Sequence, residues 1–213
     1  MSVQLQLRSE TFKPGEGLVA MHDPHSSRAA DLRRVAQTLA LRWFNGTTGS
    51  TALSIISADR GEGRSTVAAN LACIFASSGM SVLLIDADMH APSLHTLFDL
   101  APPETLQGSG QRIAGFPNLC VVPASEIENR DAARFMHKPI QALIERRRGE
   151  FAAIFVDTSA ASVSNDYLVS SLASGGALAV TREGVTRTRL ATRMLNECDD
   201  AGIAVVGGVM LKA

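Results

Sequence analysis

Short runs of consecutive hydrophobic residues recur along the chain, and polar or glycine-rich segments separate them. Runs of this length suit strands that are buried on both faces of a parallel sheet, since both faces must then be apolar. The pattern predicts six strands, near residues 53–56, 81–86, 119–122, 151–157, 177–181 and 205–209.

Between these runs the hydrophobic residues follow helical spacing. Leu32, Val35 and Leu39, for example, recur at intervals of three or four residues and so share one face of a helix. The pattern predicts helices near residues 28–44, 64–78, 92–98, 130–147, 166–173 and 186–201, of which the fourth is interrupted, or begins afresh, at Pro139. Strands that alternate with helices predict an α/β fold of three layers, with a mostly parallel central sheet and helices on both of its faces.

Two segments show neither pattern. Residues 1–27 are polar and are interrupted by prolines and glycines, namely Pro14, Gly15, Gly17 and Pro24. This composition predicts a flexible N-terminal arm at residues 1–27, followed by a single domain at residues 28–213. Residues 101–115 are also rich in proline and glycine, and we expect an exposed loop there.

The composition is that of an ordinary globular protein of one domain, with 213 residues, 46% of them hydrophobic and 19% charged. The formal net charge is −1, so electrostatics give no reason to expect nucleic acid or an anionic membrane as a partner. Cys73, Cys120 and Cys198 form no C-x-x-C pair and indicate neither a zinc site nor a disulfide framework. No hydrophobic run approaches the length of a membrane span, and we expect a cytoplasmic protein.

The segment between the first predicted strand and the helix after it carries the strongest chemical signal. Residues 57–66 read Ser-Ala-Asp-Arg-Gly-Glu-Gly-Arg-Ser-Thr. Gly61 and Gly63 allow backbone N–H groups to turn inward, and the helix directs the positive end of its dipole to the same place. A loop of this kind, followed by a basic residue and a hydroxyl, is a P-loop that binds a nucleotide phosphate and Mg²⁺. The strict pattern has glycine and lysine where this chain has Ala58 and Arg64.

Three aspartates follow the ends of two predicted strands: Asp86, Asp88 and Asp157. Because parallel strands end at the same edge of a sheet, we expect these carboxylates to lie near the P-loop, where they would hold Mg²⁺. An aspartate in this position has a second interpretation, as the cap of the helix that follows. Two acidic strand ends together with a glycine-rich loop favour the nucleotide site.

The motifs around these residues resemble those of the bacterial tyrosine kinases. Residues 61–72 are similar to the family's G-E-G-K-S-T-x-x-A-N-L-A, and residues 83–95 resemble its second motif, L-L-I-D-A-D-x-R-x-P-S-L-H. Residues 155–158 resemble its Walker B segment, and residues 22–24 and 41–44 resemble the subgroup associated with exopolysaccharide chain length. The resemblance extends from about residue 18 to the end. It implies a P-loop NTPase fold, which partitioning and septum-placement ATPases share more loosely.

The resemblance also implies a role for each motif. ATP would be held by Gly61, Glu62, Gly63, Arg64, Ser65 and Thr66, with Lys212, in place of a family asparagine, at the adenine base. Arg64 would neutralise the β- and γ-phosphates, and Mg²⁺ would be held by Ser65, Asp86 and Asp157. Arg64, Asp86 and Asp88 would be catalytic, with the two aspartates acting at the metal and the incoming tyrosine hydroxyl. The reaction would be transfer of the γ-phosphate to a protein tyrosine.

Several positions depart from the family pattern. Arg64 replaces a lysine, and a planar guanidinium is not interchangeable with a compact ammonium at a tight site. His90 stands in place of an arginine, so a positive charge is lost unless the histidine is protonated. The family's self-association motif, E-x-x-R-x-x-R, becomes Ala30, Arg33 and Ala36. The expectation of a homo-oligomer is correspondingly weakened.

The tyrosine content bears on the substrate. Tyr167 is the only tyrosine, and its place in a predicted helix indicates packing rather than phosphorylation. Family members usually end in a tyrosine-rich tail, whereas this sequence ends at Ala213. The substrate tyrosine is therefore expected on another chain, unless no phosphorylation occurs. The resemblance also implies a partner, an inner-membrane polysaccharide co-polymerase or chain-length determinant protein, that would recruit this protein to the membrane.

Three functions stay open on these grounds. The first is a tyrosine kinase of exopolysaccharide biosynthesis that uses ATP and Mg²⁺. The second is a degenerate relative, weak or inactive in catalysis, that acts as an interaction subunit. The third is a switch ATPase of the partitioning type. The signature lysine of this third group would fall at Asp59, whose charge is opposite, and we therefore favour the kinase family.

Overall fold

The central element of the structure is one eight-stranded sheet. The computed structural model describes residues 4–7, 17–46, 49–100, 110–127 and 137–212. The strands are β1 (Gln4–Leu7), β2 (Ala52–Ser57), β3 (Val82–Asp86), β4 (Gln111–Ile113), β5 (Phe116–Val122), β6 (Ala153–Asp157), β7 (Gly176–Arg182) and β8 (Ala204–Leu211). Their order is β1-β8-β7-β2-β6-β3-β5-β4, and all neighbours are parallel except β4 and β5. The predicted mostly parallel sheet is confirmed.

Helices cover both faces of this sheet, as the three-layer prediction requires. They are α1 (Val19–His22), α2 (Ser27–Arg42), α3 (Arg64–Ser77), α4 (Leu94–Leu97), α5 (His137–Arg147), α6 (Asp166–Ser174) and α7 (Thr188–Asp200), with a 3₁₀ turn at Ala124–Glu126. On one face, α1 to α4 share a hydrophobic core with Leu53 and Ile55 of β2. On the other face, α5 packs with Ala52, and α6 and α7 pack with Ile56. Alternate side chains of β2 thus serve opposite layers.

Two predicted segments differ from the structure. The loop expected at residues 101–115 contains a strand, because Gln111–Ile113 forms β4 and pairs with β5. Gly115, at φ +80°, lies in the tight turn between the two strands, so one of the glycines that predicted a loop belongs to a hairpin. The remainder of that loop, residues 101–109, lies outside the described residues. The helix expected at residues 130–147 is seen as α5, which begins at His137, and residues 128–136 also lie outside the description.

The segment expected to be a flexible arm contributes to the packed domain where it is described. The backbone of β1 pairs with β8, and Leu18 and Val19 are buried in the core between α1, α2 and α3. Asn70 of α3 fixes this segment: its Nδ2 donates to the carbonyl oxygen of Gly17 (2.7 Å), and its Oδ1 accepts from the N–H of Ala20 (2.9 Å). The packed core therefore begins before residue 28. Residues 8–16 lie outside the described part.

The core beside α3 is closed by aromatic side chains. The rings of Phe44, Phe75 and Phe155 meet edge to face, with centroids 5.3–5.4 Å apart. Cys73 is fully buried nearby, as its position in the predicted helix indicated. None of the helices in the described part of the chain has both the length and the hydropathy to cross a bilayer.

Candidate functional site

The P-loop lies between β2 and α3, where the sequence predicted it. Gly61 and Gly63 have φ values of +77° and +86°, in the left-handed region that favours glycine. Gly63 is also the N-cap of α3, and a Cβ atom at this position would lie 2.3 Å from Cδ1 of Leu211. The shape of the loop therefore depends on both glycines.

The loop borders a cavity of about 280 Å³. The cavity is lined by the residues of the predicted ATP site and by residues near α4: Gly61, Glu62, Gly63, Arg64, Ser65, Thr66, Ser93, Thr96 and Leu97. Its wall includes the first turn of α3, where free backbone N–H groups and the helix dipole attract anions. This half of the site fits the phosphates of a nucleotide.

The guanidinium of Arg64 is fully engaged with groups of the protein. Its Nε donates to Oδ1 of Asp157 (3.2 Å), Nη1 to Oγ of Ser57 (2.7 Å) and Nη2 to Oδ2 of Asp88 (2.9 Å). The arginine side chain is 9% exposed, and the side chains of Asp88 and Asp157 are 8% and 0% exposed. The resemblance implies that residue 64 neutralises nucleotide phosphates, whereas here its charge neutralises two buried carboxylates. Contact with a phosphate would require these bonds to break.

Asp86 lies at the end of β3, in register with Asp157 at the end of β6. Its Oδ1 accepts from the N–H of Asp88 (3.2 Å), and its Oδ2 accepts from the N–H groups of Ser93 and Leu94 (3.1 Å each). Asp86 therefore caps the segment that leads into α4, which is the second interpretation considered for an aspartate at a strand end. Burial, together with the negative charge of Asp157, raises the pKa of Asp86 to about 7.

Asp157 lies at the centre of the site and is completely buried. Burial raises the pKa of its carboxyl group, against the opposing effects of the Arg64 charge and the Ser65 hydroxyl. Its Oδ1 accepts from Arg64, but no described residue donates a hydrogen bond to its Oδ2. Asp157 thus lies beside the P-loop helix, where its principal partner is Arg64.

Asp88 also shapes the turn that follows β3. Its Oδ1 accepts from the backbone N–H groups of His90 (3.1 Å) and Ala91 (3.0 Å). His90, which replaces a family arginine, has its Nε2 at 3.4 Å from Oδ2 of Asp166 at the start of α6. The imidazole that replaces the family arginine therefore faces a carboxylate of α6.

Asp86, Asp88 and Asp157, here called the acidic cluster, do not fit a divalent cation as they are placed. Mg²⁺ requires near-octahedral oxygen ligands, whereas the guanidinium of Arg64 already lies at hydrogen-bond distance from both Asp88 and Asp157. Within the described ranges, no group of three or more His, Cys, Asp or Glu side chains is arranged to hold a metal ion. The Mg²⁺ site expected at Ser65, Asp86 and Asp157 stays a prediction.

Glu62 is a further buried acid, within the P-loop itself. It is 1% exposed, and neither of its carboxylate oxygens has a hydrogen-bond partner in the part of the chain that the structure describes. A buried polar group without a partner costs free energy. Because Glu62 lines the cavity, a ligand or solvent donor there would relieve this cost.

Two basic residues lie at the ends of β7 and β8 beside the loop. Arg182, the last residue of β7, donates from Nη1 to the carbonyl oxygen of Gly61 (3.3 Å). Arg182 was not among the predicted site residues, although its position at the end of a predominantly buried strand is the same signal that indicates the aspartates. Lys212 follows Leu211, which packs against Gly63. Lys212 is not part of the cavity wall, and its contact with adenine stays a prediction.

Tyr167 packs in the core, as its helical position predicted. It is fully buried, and its hydroxyl donates to the carboxylate of Glu197. Burial and this carboxylate raise the pKa of the phenol above its ordinary value. A hydroxyl that is buried and hydrogen-bonded in this way is not accessible to a kinase.

A second and larger cavity, of about 380 Å³, lies between α2 and α3. Arg33 and Ala36, two positions of the self-association motif, contribute to its wall. Nη1 of Arg33 donates to the carbonyl oxygen of Pro24, so this arginine is bonded within its own chain. No P-loop residue and no member of the acidic cluster lines this cavity, which is separate from the candidate site.

Known proteins resemble the chain in both sequence and fold. A family model described as ParA, NUBPL iron-transfer P-loop NTPase, matches residues 50–129. Tyrosine-protein kinase YwqD of Bacillus subtilis (strain 168) is 41% identical over 83 residues, which are 39% of this chain and 34% of that protein. Succinoglycan biosynthesis transport protein ExoP of Rhizobium meliloti (strain 1021) is 31% identical over 175 residues, which are 76% of this chain and 22% of that protein. The chain contains a ParA-family P-loop NTPase domain, and its relatives in sequence include proteins named tyrosine kinases.

The chain spans only about a third of YwqD and less than a quarter of ExoP. The solved kinase domain of Escherichia coli tyrosine kinase ETK matches 98% of this chain and 89% of that chain, with a TM-score of 0.82 and 19% identity. The septum site-determining protein MinD of Pyrococcus horikoshii, solved with Mg-ADP, matches 75% of this chain and 69% of that chain, with a TM-score of 0.61 and 20% identity. Both structures share the P-loop NTPase fold with this chain.

Proposed function

We propose that this protein binds ATP and transfers its γ-phosphate to protein tyrosines in exopolysaccharide biosynthesis. The observation that carries the proposal is the cradle formed by Gly61, Gly63 and the N-terminus of α3, at the sheet edge where the acidic cluster lies. The names of YwqD, a tyrosine-protein kinase, and ExoP, a succinoglycan biosynthesis transport protein, support it.

The chain's own groups have separate roles in this proposal. The backbone from Gly61 to Ser65 binds the phosphates, and the dipole of α3 adds to their neutralisation. Asp88, which is the slightly exposed member of the acidic cluster, accepts the proton of the incoming tyrosine hydroxyl after Arg64 has released it. Asp86 positions the segment that leads into α4, and Lys212 contacts the adenine base.

The substrate tyrosine belongs to another chain in this proposal. Tyr167 is the only tyrosine of the sequence, and it is buried. The partner is an inner-membrane polysaccharide co-polymerase or chain-length determinant protein, which recruits this cytoplasmic protein to the membrane and contacts it from the cytoplasmic side.

A degenerate interaction subunit is the second candidate, and one observation favours it. The guanidinium that would meet the phosphates is bonded to Asp88, Asp157 and Ser57, so catalysis needs a rearrangement that an interaction subunit does not need. The partitioning-type switch ATPase is supported by the ParA family model over residues 50–129 and by the fold shared with MinD, which is 20% identical, but no tyrosine kinase relative supports it.

Calorimetric titration with Mg-ATP tests the proposed function. We expect the purified protein to bind Mg-ATP, and the Arg64→Lys variant to bind it more tightly, by about tenfold, because an ammonium reaches the phosphates without spanning three protein acceptors. The Arg34→Lys variant, altered at an exposed ion pair, serves as the control. Absence of binding in both the natural protein and the Arg64→Lys variant would eliminate the kinase function.

A binding assay against the purified cytoplasmic segment of a polysaccharide co-polymerase tests the proposed partner. We expect the natural protein to be retained by this segment. Transfer of labelled phosphate from ATP to tyrosines of the segment would distinguish a kinase from an interaction subunit. Retention by septum or chromosome factors alone would support the switch ATPase instead.

A further inference from the structure

The side chain of Arg64 donates hydrogen bonds to three acceptors, and the ammonium group of a lysine could not reach all three at once. Its three guanidinium nitrogens donate to Ser57, Asp88 and Asp157, which belong to three separate strand ends and loops. A planar fork with fixed donor directions can span such acceptors, whereas an ammonium is a compact point charge on a flexible stem. The arginine at position 64 therefore belongs to the structure of the acidic cluster as much as to the P-loop.

The acidic cluster needs a positive charge to remain ionised. Asp157 is 0% exposed and Asp88 is 8% exposed, and burial of a carboxylate without a compensating charge is costly. In P-loop proteins that use a metal, a divalent ion near the acidic strand ends contributes this charge. In this chain Arg64 contributes it through two ion pairs.

Five of the six carboxylate oxygens of the cluster already accept at least one hydrogen bond. The oxygens of Asp86 are taken by the backbone N–H groups of Asp88, Ser93 and Leu94. The oxygens of Asp88 are taken by two further N–H groups and by Arg64. Only Oδ2 of Asp157, among the cluster's oxygens, has no partner in the described part of the chain. A divalent ion there would also lie close to the guanidinium, and like charges repel strongly where water is excluded.

The phosphate cradle does not depend on that coordination. It consists of backbone at Gly61 and Gly63 and of the first turn of α3, with Ser65 and Thr66 in the cavity wall. Backbone N–H groups and a helix dipole bind anions whether or not a metal accompanies them. In this protein the phosphate cradle can therefore bind an anion whether or not the acidic cluster holds a metal ion.

We propose that Arg64 is the resident cation of the site, in the place that a divalent ion takes in metal-dependent P-loop proteins. As a result, this chain binds nucleoside diphosphates and triphosphates without requiring Mg²⁺. The inference rests on the proposed nucleotide-binding function, but it makes a separate statement about the metal.

Titration of the natural protein with ADP, once in EDTA and once in Mg²⁺, tests this inference by calorimetry. We expect the two dissociation constants to agree within about threefold. A larger gain in affinity from Mg²⁺ would overturn the inference while leaving the proposed function intact. If neither condition gives binding, in the natural protein or in the Arg64→Lys variant, the proposed function fails and the metal measurement below decides the inference by itself.

Direct binding of Mn²⁺, followed by the loss of its free electron paramagnetic resonance signal, needs no nucleotide. We expect no binding to the natural protein and binding of one ion to Arg64→Ala, whose thermal unfolding temperature Mg²⁺ should also raise. Adding Asp157→Asn to Arg64→Ala should abolish both effects. Arg34→Ala, which removes an exposed arginine from an ion pair, should behave as the natural protein does.

Two results would contradict the inference: binding of Mn²⁺ by the natural protein that Asp157→Asn abolishes, or failure of Arg64→Ala to bind the ion. If Arg64→Ala does not fold, Arg64→Lys and Arg64→Gln replace it. A lysine cannot occupy all three acceptors but keeps the charge that repels the ion, so we expect Mn²⁺ to bind Arg64→Lys more weakly than Arg64→Gln, which carries no charge, while the natural protein shows no binding.

Discussion

The P-loop and the acidic cluster meet at the first turn of α3, but one presents backbone groups and the other presents side chains. The loop offers backbone N–H groups, and its shape follows from two glycines at positive φ. The cluster consists of side chains whose charges are balanced by Arg64 and whose remaining oxygens accept backbone hydrogen bonds. The same helix terminus therefore has one side open to a ligand and one side closed by the protein itself.

This difference indicates which part of a P-loop site keeps its chemistry when a side chain is substituted. A backbone cradle keeps its chemistry when a neighbouring side chain changes, because its donors are main-chain groups. A cluster of buried carboxylates cannot leave a charge unbalanced, so replacement of lysine by arginine changes what the carboxylates bind. In this protein the backbone cradle borders an open cavity, whereas the carboxylates beside it are paired with Arg64.

The largest effect is expected from removing a carboxylate beneath the loop. Asp157→Ala leaves the buried guanidinium of Arg64 without one of its partners, and should lower the free energy of unfolding by about 3–5 kcal/mol. Urea denaturation measures this loss. A double-mutant cycle of Arg64→Ala with Asp157→Ala should give a coupling above about 1.5 kcal/mol. A coupling near zero would mean that the ion pair does not stabilise the fold.

A single added methyl group should disrupt the backbone geometry of the P-loop. Gly63→Ala must adopt φ +86° and place Cβ 2.3 Å from Cδ1 of Leu211, so we expect a loss of about 2 kcal/mol in unfolding free energy. Affinity for ADP should fall with it, because the cradle is displaced. Gly149→Ala is the matched control, since a Cβ there meets nothing within 4 Å. Equal stability of the two variants would show that the loop geometry is not under the constraint described.

The titration of the acidic cluster offers a third comparison. Because the pKa of Asp86 is raised from 3.8 to about 7, the folded protein retains a proton that the unfolded chain has lost between these values. Its contribution to stability is therefore greatest at low pH and declines as pH rises from about 4 to about 7, by at most about 1.4 kcal/mol per pH unit. Urea denaturation across this range should show a shallower decline for Asp86→Asn. Parallel curves for the two proteins would contradict the raised pKa.

The smallest effect is expected at an ion pair on the surface. Arg34 and Asp31 form an i,i+3 pair on α2, with the arginine side chain 66% exposed. Solvent screens this pair, so Arg34→Ala should change the unfolding free energy by no more than about 0.5 kcal/mol. Comparison of the losses in unfolding free energy of Arg34→Ala and Asp157→Ala shows how much burial adds to the effect of an ion pair. A loss as large as that of Asp157→Ala would remove the distinction between the exposed and the buried pair.

Much of the candidate site could be predicted from the sequence because its chemistry is tied to strand ends. The rule that parallel strands end together predicts Asp86, Asp88 and Asp157 at one sheet edge. In the structure Asp88 and Asp157 contact Arg64 of the P-loop helix, and Asp86 lies in register with Asp157. Arg182 also ends a strand, β7, but it is basic and so falls outside a pattern of acidic strand ends. The hairpin of β4 and β5 could not be predicted, because Gly115 in its turn is part of the glycine-rich composition that indicates a loop.

The sequence by itself determined the alternation of strands and helices, the position of the P-loop and its two glycines, since each of these depends on local spacing and local backbone geometry. Only the tertiary structure decided what the charged side chains do. Whether Arg64 meets a phosphate or a carboxylate depends on acceptors at residues 57, 88 and 157, which are distant in sequence and are brought together by the sheet. The capping role of Asp86 was decided in the same way, because burial made its hydrogen bonds to the following segment obligatory.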